Sequence, residues 1–173
     1  MKKIVLGVIV IVVLVAGGVG GFMFWKGRTP EGFYEAGKKY YDEKKYPEAT
    51  ISFLNAMRKD SRHRDSRYYL AMSYMYQQDL GRAVGHLKAI IEMYPDDVQA
   101  SLDLGRVYLR AGMAQGNAEH LREAANLAQK VLAKEPQNLD ALLLSANAAT
   151  NQKDYDTSSQ FLFAVTASNE RCA

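Results

Sequence analysis

A single cysteine, Cys172, stands in the 173-residue sequence. One thiol forms no intramolecular disulfide and no cysteine-based metal cluster, so neither device holds this fold. Charge imbalance is equally scarce. The formal net charge is +3, from 22 Lys and Arg against 19 Asp and Glu. Lys2, Lys3, Lys26 and Arg28 flank an N-terminal apolar run, and no acidic residue precedes Glu31. The remainder is therefore nearly neutral and has no basic stripe of the kind nucleic acids require. The nearest approach to one, Arg58, Lys59, Arg62, Arg64 and Arg67, is diluted by Asp60 and Asp65 and reads as a solvated edge. His63, His86 and His120 lack a second ligand at metal-binding spacing. The glycines from Gly17 to Gly21 lie inside the apolar run and make no phosphate loop. With no catalytic constellation, no metal site and no cofactor motif, the sequence points away from an enzyme.

Residues 4–25, IVLGVIVIVVLVAGGVGGFMFW, carry no charge. As a helix they would rise about 33 Å, enough for a hydrocarbon core of roughly 30 Å. Trp25 and Lys26 place an amphipathic ring and a cation where the interface would be. Two readings stay open: an uncleaved anchor, or a secretory signal with its apolar region at Ile4–Val15 and small residues after it. The extension through Phe22, Met23 and Phe24 favours the anchor. The two-lysine tail of residues 1–3 is expected to stay cytoplasmic, which puts the rest of a single-pass chain in the bacterial periplasm. Gly17 and Gly21 form a small-xxx-small pair that would let two spans dimerise.

Beyond a linker at 26–30 the sequence repeats. Gly37, Ala71, Gly105 and Ala146 are small residues spaced 34, 34 and 41 apart, and Ala49, Ala83, Ala124 and Ser158 are spaced 34, 41 and 34. One seven-residue insertion between Gly105 and Ala124 reconciles the two series. Tyr40, Tyr74 and Tyr108 follow the first small column by three, and are read as packing residues. Phe53, Leu87, Ala128 and Leu162 form an apolar column, and Pro95 and Pro136 close the second and third units. Each unit reads as two amphipathic helices, the first pair at about Glu31–Glu43 and Tyr46–Arg58. The repeats fall near 30–63, 64–97, 98–138 and 139–173, with the insertion read as a lengthened loop at 110–120.

Period, small columns, tyrosine and terminal proline together resemble the tetratricopeptide repeat (TPR) over about residues 30–173. The fourth unit departs: Ala149 replaces the tyrosine, and Ser145 and Ser158 are polar for their columns. The resemblance implies an all-α fold, an α-solenoid of about four helical hairpins, here preceded by a single transmembrane helix. It also implies a protein or peptide partner held on the inner wall made by the first helix of each hairpin. That wall is expected to offer Tyr34, Lys38 and Tyr41; Tyr68, Met72, Met75 and Tyr76; Leu102, Arg106, Leu109 and Arg110; and Leu143, Asn147 and Asn151. It would have an aromatic end and a cationic middle. The carboxylate-clamp subclass is not expected, because Tyr34 and Tyr69 stand where a clamp lysine and asparagine would be. Anchored TPR proteins of this layout serve exopolysaccharide export, pilus or cytochrome assembly, and protein translocation, so a scaffold in envelope assembly is the expectation. The alternatives are a self-associating structural membrane protein and a soluble periplasmic form. Phe161, Leu162, Phe163 and Val165 leave the last helix with an apolar face and no capping helix after it. Either a longer array or a second subunit is expected to cover that face.

Overall fold

The computed structural model describes residues 29–170, all helices and short turns. The expected anchor at 4–25 and Cys172 lie outside the described residues. Among those described, no helix is long and apolar enough to cross a membrane. Eight helices follow in order: α1 Pro30–Asp42, α2 Tyr46–Lys59, α3 Arg64–Tyr76, α4 Leu80–Met93, α5 Val98–Gln115, α6 Ala118–Leu132, α7 Leu139–Asn151 and α8 Tyr155–Glu170. The chain divides into two compact units between Gln77 and Gln78, so α1–α3 belong to the first and α4–α8 to the second.

Each odd-numbered helix starts on a capping side chain. Thr29 Oγ1 accepts from the Gly32 N–H at 3.0 Å, His63 Nδ1 from Ser66 at 3.1 Å, Asp97 Oδ1 from Ala100 at 2.9 Å, and Asn138 Oδ1 from Ala141 at 3.0 Å. These oxygen and nitrogen acceptors satisfy amides that have no partner inside the helix. The four caps recur with the same long third interval as the first small column, a register written in polar residues.

In the first unit α1 and α2 pack closely because Gly37 has no side chain. A Cβ there would lie 2.6–3.0 Å from the Phe53 ring, which is fully buried. Ala49, Ala56, Leu70, Ala71 and Tyr74 are buried in the same unit. Tyr40, expected to pack, is instead 36% exposed. In the second unit Leu102, Ala124, Ala128, Val131, Ala141, Leu144 and Ala148 form one core cluster. Gly105 again permits the approach: a Cβ would meet Leu144 Cδ2 at 2.5 Å and lie 3.6 Å from the Ala124 carbonyl oxygen.

The inserted segment is helical, not a loop. α5 continues ten residues past Gly105 to Gln115, whereas α1, α3 and α7 continue five past Gly37, Ala71 and Ala146. α6 in turn begins six residues before Ala124, whereas α2, α4 and α8 begin three before their small residues. Both limbs of this hairpin gain about one turn, and the turn itself shrinks to Gly116 and Asn117. Gly116 sits at φ 63° and ψ 25°, the left-handed conformation that ends a helix most cheaply in glycine. Gly112 lets the two limbs touch, since a Cβ there would lie 2.7 Å from Leu121. The Arg-Ala-Gly-Met-Ala-Gln composition of residues 110–115 contains strong helix formers, and these outweigh one interior glycine.

The two serines of the fourth hairpin have different fates. Ser158, 4% exposed, shares a 2.7 Å hydrogen bond with Thr150 Oγ1, so its polarity is satisfied. Ser145 is 2% exposed, and its Oγ has no hydrogen-bond partner among the described residues. Replacing it by Ala removes a desolvated hydroxyl and improves helix propensity. Ser145→Ala should therefore raise stability by about 1 kcal/mol, read as a higher urea midpoint at unchanged slope. A lower midpoint would show that the hydroxyl is paired in solution.

Candidate binding surface

Tyr34, Lys38 and Tyr41 recur at helical spacing along one face of α1, and Tyr69 and Tyr76 do so along α3. The ring of Tyr41 meets Tyr46, Tyr69 and Tyr76 edge-on, at centroid distances of 5.5, 5.2 and 5.9 Å and angles of 69–71°. Tyr46, from α2, stacks flat on Tyr76 at 4.5 Å. Tyr34 closes the other end, 6.2 Å from Phe53, 5.4 Å from His63 and 6.0 Å from Tyr69. The three Tyr41 contacts are the perpendicular arrangement that aromatic quadrupoles favour, each worth about 0.5–1.5 kcal/mol beyond burial, whereas the Tyr34 contacts are tilted at 36–50°.

A cation sits among the rings. Lys38 Nζ is 4.7 Å from the centroid of Tyr69 and 5.6 Å from that of Tyr41, and it donates to Asp42 Oδ1 at 2.6 Å. That hydrogen bond raises the Lys38 pKa above its ordinary value. Burial pushes the Tyr41 phenol up, helped by the neighbouring Tyr76, and burial does the same for Tyr34, helped by Tyr69. A hydrogen bond with Tyr76 also holds the Tyr41 hydroxyl. Tyr76 leaves 58% of its surface exposed. The surface is a set of mutually braced rings with one ammonium among them.

Of the expected wall residues on α3, Met72 and Met75 are half-buried and Tyr76 is exposed. Tyr68 is only 7% exposed, with the Arg64 guanidinium 4.9 Å from its ring centroid. Tyr69, one residue and 100° of helix further on, takes the place expected of Tyr68. Tyr69 and Tyr46 were not among the expected wall residues. The spacing of Tyr46 and Phe53, and of Tyr69 and Tyr76, carried that information as two further seven-residue stripes.

In the second unit Leu102 is 5% exposed and belongs to the core cluster rather than to a wall. Arg106 is spoken for: its guanidinium pairs with Asp103 at 2.8 Å and Asp140 at 2.9 Å, joining α5 to α7. Two carboxylates on one guanidinium neutralise the Arg106 half of the cationic middle expected there, and Arg110 is the other half. Leu109 is half-buried, and Arg110, Leu143, Asn147 and Asn151 are exposed. Leu143, Asn147 and Asn151 share one face of α7, and Asn151 Nδ2 donates to the Asn147 carbonyl at 2.8 Å. A cleft of about 390 Å³ also opens in this unit, lined by Ile91, Pro95, Val98, Val131 and Lys134. The Lys134 ammonium is paired with Asp96, and Asp97, Ser101 and Lys130 also line the cleft. Among the described residues no three His, Cys, Asp or Glu side chains gather as a metal site.

The hairpins match family models twice. One model of the tetratricopeptide repeat covers residues 68–123, and a second covers residues 117–173. Together they span more than half of the chain. It is a tetratricopeptide-repeat protein. No curated protein matches this TPR chain by sequence. Solved structures show the same fold. A crystal structure of MamA has a TM-score of 0.76 at 18% identity, covering 88% of this chain and 85% of that one. YrrB, described as a TPR protein with an unusual peptide-binding site, has a TM-score of 0.68 at 21% identity, covering 80% of this chain and 68% of that one. TTC0263, a thermophilic TPR protein of Thermus thermophilus, has a TM-score of 0.65 at 16% identity, covering 82% of this chain and 75% of that one.

Proposed function

We propose that this TPR protein is a membrane-anchored scaffold that binds a partner protein or peptide and catalyses no reaction. The tyrosine surface of α1 and α3 carries the reading, because braced, partly exposed aromatic rings supply contact area at little entropic cost. The peptide-binding site named for YrrB supports the same use of this fold. The apolar run of residues 4–25 supports a single-pass anchor in the cytoplasmic membrane with the repeats in the periplasm. A place in bacterial envelope assembly, secretion or polysaccharide export follows from that arrangement. Crosslinking in intact membranes, followed by recovery of the full chain, tests it. A specific partner should be recovered with the wild type and reduced about tenfold with Tyr76→Ala. Recovery of no specific partner would overturn the scaffold reading.

Self-association is the second reading, and Phe163 and Leu162, 76% and 47% exposed on α8, favour it. Gly17→Ile combined with Gly21→Ile should abolish oligomers in detergent if the span mediates it. Mass spectrometry of the mature N-terminus distinguishes the anchored protein, which retains Lys2 and Lys3, from a periplasmic form released by cleavage.

A further inference from the structure

We propose that the end of the first unit where α2 turns into α3 docks on anionic lipid headgroups of the membrane that holds the N-terminal span. The proposal rests on the anchored reading above and names the surface that faces the bilayer.

Topology brings that end to the anchor. Residues 26–29 connect Trp25 to Pro30, the first residue of α1, and so short a connection reaches at most about 18 Å when fully extended. The start of α1 therefore stays close to the bilayer. α2 returns antiparallel to α1: Tyr41, late in α1, meets Tyr46 at the start of α2, while Phe53, further along α2, lies against Gly37. The turn at 60–63 then falls beside the start of α1, where the rings of Tyr34 and His63 lie 5.4 Å apart. Tyr34 is only about 6 Å along the helix axis from Pro30.

Charge divides unevenly between the two ends of this unit. At the end beside the anchor, Arg58 and Lys59 close α2, Arg62 lies in the turn, and Arg64 and Arg67 are in the first turn of α3. Arg58, Lys59 and Arg62 are exposed. Against these five cations stand three carboxylates, Glu31, Asp60 and Asp65, and Lys26 and Arg28 of the connecting sequence add to the excess. At the far end three cations, Lys39, Lys44 and Lys45, meet three carboxylates, Asp42, Glu43 and Glu48. The far end is matched, and the excess positive charge lies on the side of the span.

A basic surface next to a span is drawn to anionic headgroups, and the attraction fades within a Debye length. Arginine suits the phosphates there, because its planar fork can grip two oxygens at once. The edge that the sequence marks as solvated is thus placed where its solvent is the headgroup layer.

Energy transfer on the full chain in vesicles provides the test. A fluorophore is attached through Ser61→Cys, at an exposed position in the turn, in a Cys172→Ser background, and the acceptor is carried on a lipid. Flotation with phosphatidylcholine vesicles first establishes insertion. A chain that fails to float would overturn the anchored reading and the docking together. For an inserted chain, transfer should rise about twofold when about 30% phosphatidylglycerol is included, and should fall back in about 0.5 M NaCl. Lys59→Glu combined with Arg62→Glu should abolish the rise. Lys39→Glu combined with Lys44→Glu, the same charge change at the far end, should preserve it. Far-ultraviolet circular dichroism checks that both variants fold, and the salt response of the unaltered chain stands without them. Equal transfer in neutral and anionic vesicles by an inserted chain would overturn the docking and leave the anchor standing. A rise that survives Lys59→Glu with Arg62→Glu would overturn the assignment to this end. Lipid-independent transfer, together with loss of a crosslinked partner in that variant, would give the surface to an acidic protein instead.

Discussion

Phe53→Ala should lower the stability of the first unit by about 3–5 kcal/mol, the usual cost of emptying a fully buried aromatic site. The ring is wholly excluded from solvent, touches the space above Gly37, and braces Tyr34 and Tyr69. Urea denaturation followed by far-ultraviolet circular dichroism measures the loss. Gly37→Ala probes the same contact from the other side. Its Cβ would fall 2.6–3.0 Å from three ring carbons, and a packed ring has no room to withdraw. A cost of about 1–3 kcal/mol follows from overpacking. In a Phe53→Leu background most of that penalty should vanish, because the smaller side chain clears the Cβ. A double-mutant cycle showing strict additivity would refute the contact.

Gly105→Val should cost the second unit about 2–3 kcal/mol. The obstacle there is Leu144, which is 3% exposed and lies in the core cluster with Ala124, Ala128 and Ala148. The valine Cβ would overlap Leu144 Cδ2, and the Ala124 carbonyl oxygen at 3.6 Å blocks a sideways escape. Combining Gly105→Val with Leu144→Ala should give a loss smaller than the sum of the two single losses, since each relieves the other. A Gly105→Val chain within about 0.5 kcal/mol of the wild type would mean that α5 and α7 are not held this closely.

The repeat was legible because it is written in residue size. Gly37, Ala71, Gly105 and Ala146 keep their spacing, and at Gly37 and Gly105 any larger side chain would collide with a packed neighbour. The insertion was locatable for the same reason, but not its conformation. Gly112 and Gly116 read as loop residues, yet one permits a close helix approach and only the other stops the helix. The capping column of Thr29, His63, Asp97 and Asn138 went unread because its members share a function, accepting from an amide, and no common side chain.

The binding surface was legible only in part. Tyr34, Lys38, Tyr41 and Tyr76 follow from helical spacing on α1 and α3. Tyr46 does not, because it reaches the surface from α2, a helix that the inner-wall rule leaves out. Assigning Tyr68 in place of Tyr69 was a phase error of one residue on α3, enough to exchange a buried ring for one beside Lys38. The ion pairs of Arg106 required a partner 34 residues away in sequence, Asp140, whose proximity depends on how α5 and α7 pack.

Eight of the eleven tyrosines lie between Tyr34 and Tyr76, and only Tyr94, Tyr108 and Tyr155 lie beyond. This uneven distribution gives the molecule a built-in optical label. Near-ultraviolet circular dichroism depends on rings held in fixed asymmetric surroundings. The flat pair of Tyr46 and Tyr76, with Tyr41 set edge-on to both, should dominate that spectrum. Far-ultraviolet ellipticity, by contrast, reports on helices throughout the chain. Comparing the two signals through one denaturation would separate the melting of α1–α3 from that of α4–α8 without any added probe.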